Sequence, residues 1–283
     1  MKAEQATASV AYHGEGPFWD EGEQRLRFVD MLAGDVVTLL PTGTVTRRHI
    51  GDVAAVLRRR EEGGYVVAVE RGFALLDEDW RQVGSVPVFD SPTVRMNEGG
   101  CDPQGRFYCG SMGYDTAEGA GALYRLDPDL SVHVVLPEVT IPNGLVWSPD
   151  GATVFHADTG PALISAYDFD ADRGTLENRR TFAELDPETG APDGVAIDEE
   201  GGLWVALWGG GAVQRYAPDG SLSERIEVGA TNVTACAFAG EGSRTLYITT
   251  SQQGVDVEQE PGAGALFVAE VGVGGAAVRP FQG

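Results

Sequence analysis

The sequence predicts an all-β protein, a six-bladed β-propeller with four antiparallel strands in each blade. The first observation behind this prediction is a repeat, because strand-like segments rich in β-branched and aromatic residues recur about every 40–50 residues, as propeller blades do. The second is composition, since 39 glycines and 15 prolines suit many tight turns. The third is that the apolar segments are short and lack a helical period.

The second strand of the blade has the clearest pattern, and it is found six times. It is predicted at residues 25–31, 64–70, 106–112, 153–159, 202–208 and 245–251. A third strand follows at residues 35–40, 72–77, 121–127, 164–169, 211–217 and 264–270. A weaker fourth strand follows in the first five repeats, at residues 44–50, 82–86, 131–136, 178–182 and 222–228. Because one unit repeats without a linker, residues 1–283 are predicted to form a single domain.

The ring of blades has to close, since an open ring leaves free strand edges and uncovered apolar faces. Residues 5–12 alternate weakly between apolar and polar side chains and precede the first complete blade. They are predicted to supply the outer strand of the last blade, which would tie the two ends of the chain together. Residues 276–281 are the alternative for that place.

The charge of the chain excludes several classes of partner. There are 43 Asp and Glu residues against 20 Lys and Arg, which gives a net charge of −23. Such a field repels phosphate backbones and anionic lipids, so nucleic acids and membranes are poor partners and a small molecule is expected instead. The N-terminal residues lack the apolar segment of a signal peptide, and the three cysteines show no CxxC spacing. A cytoplasmic protein with buried, reduced thiols is expected.

Four oxygen-bearing side chains occupy one repeated position, five residues before the turn of the first hairpin in a blade. They are Glu15, Asn97, Asn143 and Asp193. In a propeller the first strand of each blade lines the central channel, and all first strands begin on the same face. The four side chains are therefore expected to converge at one mouth of the channel.

Two carboxylates and two amides are the hard oxygen ligands that Ca²⁺ prefers. One divalent metal ion is therefore predicted, with Ca²⁺ as the first choice and Zn²⁺, Mn²⁺, Mg²⁺ and Fe²⁺ as alternatives. The competing interpretation is that these polar residues only solvate a wet channel. The metal is favoured because two converging acids without a cation would repel each other.

The same segments carry a resemblance to a known family. Gly14-Glu15-Gly16-Pro17, Arg95-Met96-Asn97-Glu98-Gly99, Pro142-Asn143-Gly144 and Pro192-Asp193-Gly194 are similar, in order and spacing, to motifs of the SMP-30/gluconolactonase/LRE-like family. The resemblance covers almost the whole chain. It implies a six-bladed propeller that hydrolyses lactones with one divalent metal ion.

The resemblance also implies roles for individual residues. Glu15, Asn143 and Asp193 match the metal ligands, and Asp193 would in addition transfer the proton as the catalytic residue. Arg95 and Asn97 match the substrate contacts, with a water-mediated metal contact as the rival role for Asn97. A further acid of the family lies in the loop before Gly121, and Glu118 is assigned to it as a substrate contact, one residue closer to that glycine than the family's acid.

The function predicted from these observations is the metal-dependent opening of a lactone ring, with a sugar aldonolactone such as gluconolactone as the substrate. Two alternatives stay open: a hydrolase of non-sugar lactones or organophosphate esters, and a non-catalytic calcium-binding propeller. A serine hydrolase is disfavoured because the chain lacks a Gly-x-Ser-x-Gly motif. Trp208, at the end of a second strand, is either a stacking platform for a sugar ring or a packing residue.

Overall fold

The structure, a computed structural model, describes the backbone of residues 1–283 and the side chains of residues 1–186 and 188–283. The described residues form six four-stranded antiparallel sheets arranged as a six-bladed β-propeller. Apart from strands, they form two short 3₁₀ turns, Met31–Ala33 and Pro187–Thr189. Among the described residues, no helix has the length and apolar character needed to span a membrane.

Each blade is a meander in which consecutive strands pair. Blade 1 consists of β2 (Gly14–Asp20), β3 (Arg25–Asp30), β4 (Asp35–Leu39) and β5 (Val45–His49). Blade 2 consists of β6 (Ala54–Arg59), β7 (Tyr65–Val69), β8 (Gly72–Leu76) and β9 (Gln82–Pro87). Blade 3 consists of β10 (Val94–Cys101), β11 (Phe107–Gly113), β12 (Gly121–Leu126) and β13 (Val132–Val139).

The second half of the ring repeats the same pattern. Blade 4 consists of β14 (Pro142–Trp147), β15 (Thr153–Asp158), β16 (Leu163–Asp170) and β17 (Thr175–Glu184). Blade 5 consists of β18 (Ala191–Ile197), β19 (Leu203–Trp208), β20 (Ala212–Tyr216) and β21 (Leu222–Glu227). Blade 6 consists of β22 (Val233–Phe238), β23 (Thr245–Thr250), β24 (Phe267–Glu270) and, from the other end of the chain, β1 (Glu4–Gln5).

The predicted fold is therefore confirmed, and the ring closes through the N-terminus. β1 pairs antiparallel with β24, with Glu4 opposite Val268, so the outer strand of blade 6 comes from the first residues of the chain. This strand is shorter than the predicted segment 5–12, of which it contains only Gln5. The remainder of the segment runs along the same blade, with Val10 N–H donating to Gly264 O at 2.9 Å. Closure joins residues that are far apart in sequence, and it covers the edge that β24 would otherwise expose.

Buried acids reinforce the hairpin turns on the face opposite the strand starts. In blade 5, Asp198 is fully buried and accepts hydrogen bonds from Gly202 N at 2.8 Å, Trp204 Nε1 at 2.9 Å and Arg215 Nε at 2.7 Å. Pairing with several donors compensates the cost of burying the charge. Equivalent acid–arginine pairs occur in blades 1 and 3, at Asp20–Arg27 and Asp102–Arg106.

The C-terminal segment does not supply the outer strand that residues 276–281 offered as an alternative. After β24 it crosses the face of the hairpin turns instead. Gly275 pairs with Asp198 of blade 5, Phe281 N donates to Arg59 O of blade 2 at 2.8 Å, and Gln282 N donates to Gly105 O of blade 3 at 2.9 Å. Phe281 is fully buried among apolar residues of blades 2 and 3. Its ring covers apolar surface that these blades would otherwise expose to water.

We expect Phe281→Ala to lower the free energy of unfolding by about 3–5 kcal/mol, the usual cost of truncating a buried phenylalanine. The matched control is Gln282→Ala, whose side chain is exposed and whose substitution should change stability by less than about 0.5 kcal/mol. Urea unfolding followed by tryptophan fluorescence measures both. Equal effects of the two substitutions would show that the tail is not anchored by this ring.

Candidate metal and substrate site

A bulge near the start of the innermost strand positions the candidate residues. In blades 3, 4 and 5, two residues of this strand lie opposite one residue of the second strand; these pairs are Asn97–Glu98, Asn143–Gly144 and Asp193–Gly194. In blade 1 the irregularity directly follows Glu15. Bulges redirect side chains and are frequent next to functional sites. Here all four bulges lie near the starts of the innermost strands, and these strands all start on the same face of the ring.

Three carboxylates meet at this face. Oxygen atoms of Glu15, Glu98 and Asp193 all lie within 4.8 Å of one another. The three residues are only 3%, 7% and 4% exposed. Among the described residues, Glu98 Oε2 and Asp193 Oδ1 have no hydrogen-bond partner. Buried carboxylates without donors are costly, so this arrangement is suited to a cation.

The environment raises the pKa of all three acids. Burial, and next the charge of Glu98, hold the pKa of Glu15 well above its ordinary value. Burial, and next the charge of Glu15, do the same for the pKa of Asp193. Burial raises the pKa of Glu98 to about 7 against the opposing effect of Arg58. A positive charge between the three acids would favour their ionised forms.

The two asparagines form a hydrogen-bonded chain beside the acids. Asn97 Nδ2 donates to Asn143 Oδ1 and to Pro142 O, both at 2.9 Å. Asn143 Nδ2 donates to Thr159 Oγ1 at 2.6 Å, and that hydroxyl donates to Pro192 O at 2.7 Å. The chain links blades 3, 4 and 5, and it fixes the orientation of the Asn143 amide. The carbonyl oxygen of Asn143 retains a second lone pair for a ligand.

Arg95 is held next to this chain. Its Nη1 donates to Asn97 Oδ1 at 2.6 Å and to Met96 O at 3.0 Å. The guanidinium carbon lies 5.9 Å from the centre of the Tyr114 ring, and the Tyr114 hydroxyl donates to Glu70 Oε1 at 2.7 Å. Arg95 is 8% exposed. A nearly buried cation with a fixed orientation can donate hydrogen bonds to a bound polar molecule.

His13 and Trp208 complete the wall next to Glu15. His13 Nδ1 lies 2.8 Å from Ser251 Oγ, and its Nε2 lies 3.9 Å from Glu15 Oε1. Burial lowers the pKa of His13 to about 4, so that the imidazole is neutral at pH 7. The Trp208 ring packs edge-on against His13, with 5.9 Å between ring centres. Trp208 thus has a packing contact, and its partial exposure leaves room for a ligand contact as well.

Glu118 stands apart from the other predicted residues. The structure gathers Glu15, Asn97, Asn143 and Asp193 at one end of the channel and holds Arg95 against Asn97. Glu118, in contrast, is exposed in the connection between β11 and β12. Because that connection follows a second strand, it lies on the same face of the ring as the acids. Its assignment as a substrate contact stays a prediction.

Glu98 is the site residue that the sequence reasoning missed. Its neighbour Asn97 was assigned to the channel, and strict alternation along a strand would turn the next side chain away. The bulge at Asn97–Glu98 breaks that alternation. The available signal was the repeat itself, since Gly16, Gly144 and Gly194 follow the site residue in blades 1, 4 and 5. Only blade 3 carries an acid at that place among these four blades.

The residues present fit a divalent cation. Three carboxylates lie within 4.8 Å of one another, and two of them have oxygens without a hydrogen-bond partner among the described residues. They offer hard anionic ligands, and the Asn143 carbonyl offers a neutral one. Oxygen donors of this kind suit Ca²⁺, Mg²⁺ or Mn²⁺.

Comparison with known proteins agrees with this geometry. A family model described as SMP-30/Gluconolactonase/LRE-like region matches residues 13–252. The chain belongs to this family.

Individual relatives cover nearly the whole chain. Regucalcin of Danio rerio is 35% identical over 281 residues, which cover 95% of this chain and 94% of the relative. A 6-deoxy-6-sulfogluconolactonase of Pseudomonas putida is 36% identical over 280 residues, which cover 95% of each chain. The crystal structure of a calcium-binding protein, regucalcin, from Agrobacterium tumefaciens superposes with a TM-score of 0.92 at 26% identity, over 100% of this chain and 97% of that one. Family and relatives indicate a propeller of the lactonase type.

We expect Thr159→Val to lower the free energy of unfolding by about 1–3 kcal/mol, because the Asn143 amide and the Pro192 carbonyl each lose a partner. The control is Thr181→Val, an exposed position on β17, where valine fits a strand equally well. Urea unfolding of both variants measures the difference. A Thr159→Val variant as stable as the control would show that the link between blades 4 and 5 contributes nothing.

Proposed function

We propose that this protein hydrolyses a lactone, a sugar aldonolactone such as gluconolactone in the first place, with one divalent cation bound by Glu15, Asn143 and Asp193. Ca²⁺ is the first choice for the cation. The observation that carries the proposal is the cluster of buried carboxylates at the channel mouth of a propeller from this family. The names of two relatives support it, one as a sulfogluconolactonase and the other as a calcium-binding protein.

When bound, the cation supplies a Lewis acid that polarises the lactone carbonyl and lowers the pKa of nearby water. Asp193 accepts the proton of the attacking water at Oδ1, the oxygen for which the described residues provide no hydrogen-bond donor. It then returns a proton to the ring oxygen as the ester bond breaks. A carboxylate in this position acts as general base and then as general acid.

The remaining residues orient the substrate. Arg95 donates hydrogen bonds to oxygens of the bound lactone, since its guanidinium is fixed at the site by Asn97 and Met96. Asn97 uses both ends of its amide within the protein, so it holds Arg95 and Asn143 in register. Glu118, on the loop at the same face, is kept as a further contact to substrate hydroxyls.

A second candidate is a calcium-binding propeller without catalytic activity. The relative from Agrobacterium tumefaciens, which is named a calcium-binding protein, favours this function. Non-sugar lactones and organophosphate esters are the other substrate classes to test. A screen of sugar lactones, aliphatic lactones and organophosphate esters with a pH indicator, with and without chelator, separates these functions. We expect hydrolysis of sugar lactones that chelation abolishes and added Ca²⁺ restores.

We expect Asp193→Asn, saturated with metal, to lose about 10²–10⁴-fold in turnover, because the amide cannot accept the proton. Glu15→Gln should instead weaken metal binding, with turnover recovering as the metal concentration rises. Asp115→Asn, an exposed acid on the same face, is the control and should keep wild-type activity. Turnover is measured at saturating metal, after affinity has been determined by calorimetry. Near-normal turnover of Asp193→Asn would remove Asp193 from its catalytic role.

Metal affinity should rise with pH. The pKa values of Glu15 and Asp193 are raised and that of Glu98 is about 7, so these acids hold protons in the metal-free protein at pH values where ordinary carboxyls are ionised. Metal binding has to displace those protons, and affinity is therefore lost as pH falls through the raised pKa values. We expect about a tenfold loss per pH unit for each proton released. Calorimetric Ca²⁺ titrations from pH 8 to pH 5 test this, and an affinity independent of pH would contradict it.

A further inference from the structure

We propose that Glu98 is a third carboxylate ligand of the metal ion, in addition to Glu15, Asn143 and Asp193. The inference rests on the proposed metal centre. In this centre the ion is held by three acids, one of them contributed by the second residue of a bulge.

The position of Glu98 in the blade is the first support. In blades 4 and 5 the equivalent bulge residues are Gly144 and Gly194. A Cβ atom there would lie 2.3 Å from Val195 Cγ2 and 2.4 Å from Ala235 Cβ, so these positions are closed to a side chain. In blade 3 the position is open and holds a glutamate whose carboxylate reaches the other two acids.

The surroundings of the Glu98 carboxylate are the second support. The residue is 7% exposed, and among the described residues its Oε2 has no hydrogen-bond partner. Arg58, the nearby cation, donates to the carbonyl oxygens of Leu57 at 2.7 Å and Gly99 at 3.0 Å. The ion pairs found among the described side chains do not include Glu98. A buried carboxylate that faces two other carboxylates and is not paired with an arginine is suited to a metal ion.

A third carboxylate ligand would change metal affinity in ways that a residue with only a packing role would not. It brings the charge of the ionised ligand set to −3. The attraction that this extra charge adds is proportional to the charge of the ion. A trivalent ion such as Tb³⁺ therefore gains more from Glu98 than Ca²⁺ does. In the metal-free protein the same carboxylate repels its neighbours, so its neutralisation relieves repulsion.

The test compares the wild-type chain with Glu98→Gln, which keeps the shape of the side chain and removes its charge. The control is Glu61→Gln, an exposed acid outside the site. Calorimetric titration with Ca²⁺ and with Tb³⁺ gives the affinities, and thermal unfolding gives Tm with and without metal. We expect Glu98→Gln to lose about 10- to 100-fold in Ca²⁺ affinity and more in Tb³⁺ affinity. Its metal-free Tm should rise, while the increase in Tm on adding metal should shrink.

Wild-type Ca²⁺ affinity in Glu98→Gln would overturn the inference. An equal loss for both ions together with a lower metal-free Tm would also overturn it, since Glu98 would then be structural. If Glu98→Gln does not fold, Glu98→Asp keeps the charge and should keep the preference for Tb³⁺ over Ca²⁺; loss of that preference would contradict the inference.

Different results would contradict the proposed function and the role of Glu98. A wild-type chain that binds Ca²⁺ with the expected Glu98 dependence but opens no lactone contradicts the hydrolase and leaves the third ligand in place. A wild-type chain that binds neither ion contradicts the metal centre and, with it, the role of Glu98.

Discussion

Three carboxyl groups are buried at one end of the channel, and the surrounding fold has to hold them there. Carboxyl groups with oxygens within 4.8 Å of one another, almost removed from water, are held together although burial and mutual repulsion disfavour their ionised forms. The chain tolerates this arrangement because each acid projects from a different innermost strand, and each strand is anchored in a blade of four. The stability of the whole ring thus offsets the unfavourable free energy of burying the acids. A bound cation would lower that unfavourable free energy.

The surrounding framework is built to keep these strands from moving apart. The N-terminal strand closes blade 6, and the C-terminal segment crosses the opposite face from blade 5 to blades 2 and 3. At that opposite face, acids such as Asp198 are also buried, but each is paired with an arginine and several N–H donors. Buried carboxyl groups therefore have different surroundings at the two ends of the channel. Acids that support the fold have partners within the protein, whereas Glu98 and Asp193 at the candidate site each have an oxygen without a hydrogen-bond partner among the described residues.

The amide chain between Arg95 and Thr159 connects the site to this framework. Asn97 and Asn143 lie between them and join three blades through side-chain hydrogen bonds of 2.6–2.9 Å. Such a chain fixes the Asn143 amide and the Arg95 side chain relative to the acids, which is the kind of support that binding sites need from the residues around them. Asn97 thus has partners within the protein at both ends of its amide, and its direct contact with substrate stays a prediction.

The order of the amino acids is sufficient to predict the number of blades, the positions of most strands and four of the five oxygen-bearing side chains at the mouth. These features depend on a local pattern that is repeated six times. Alternation along a strand and the common position in each repeat are sufficient for such inferences. Two further features become visible only in the folded chain. Glu98 enters the site through a bulge, and bulges break the alternation on which sequence reasoning relies. The C-terminal segment crosses the ring because Phe281 fills a space between blades 2 and 3, a contact between residues far apart in sequence that no local pattern encodes.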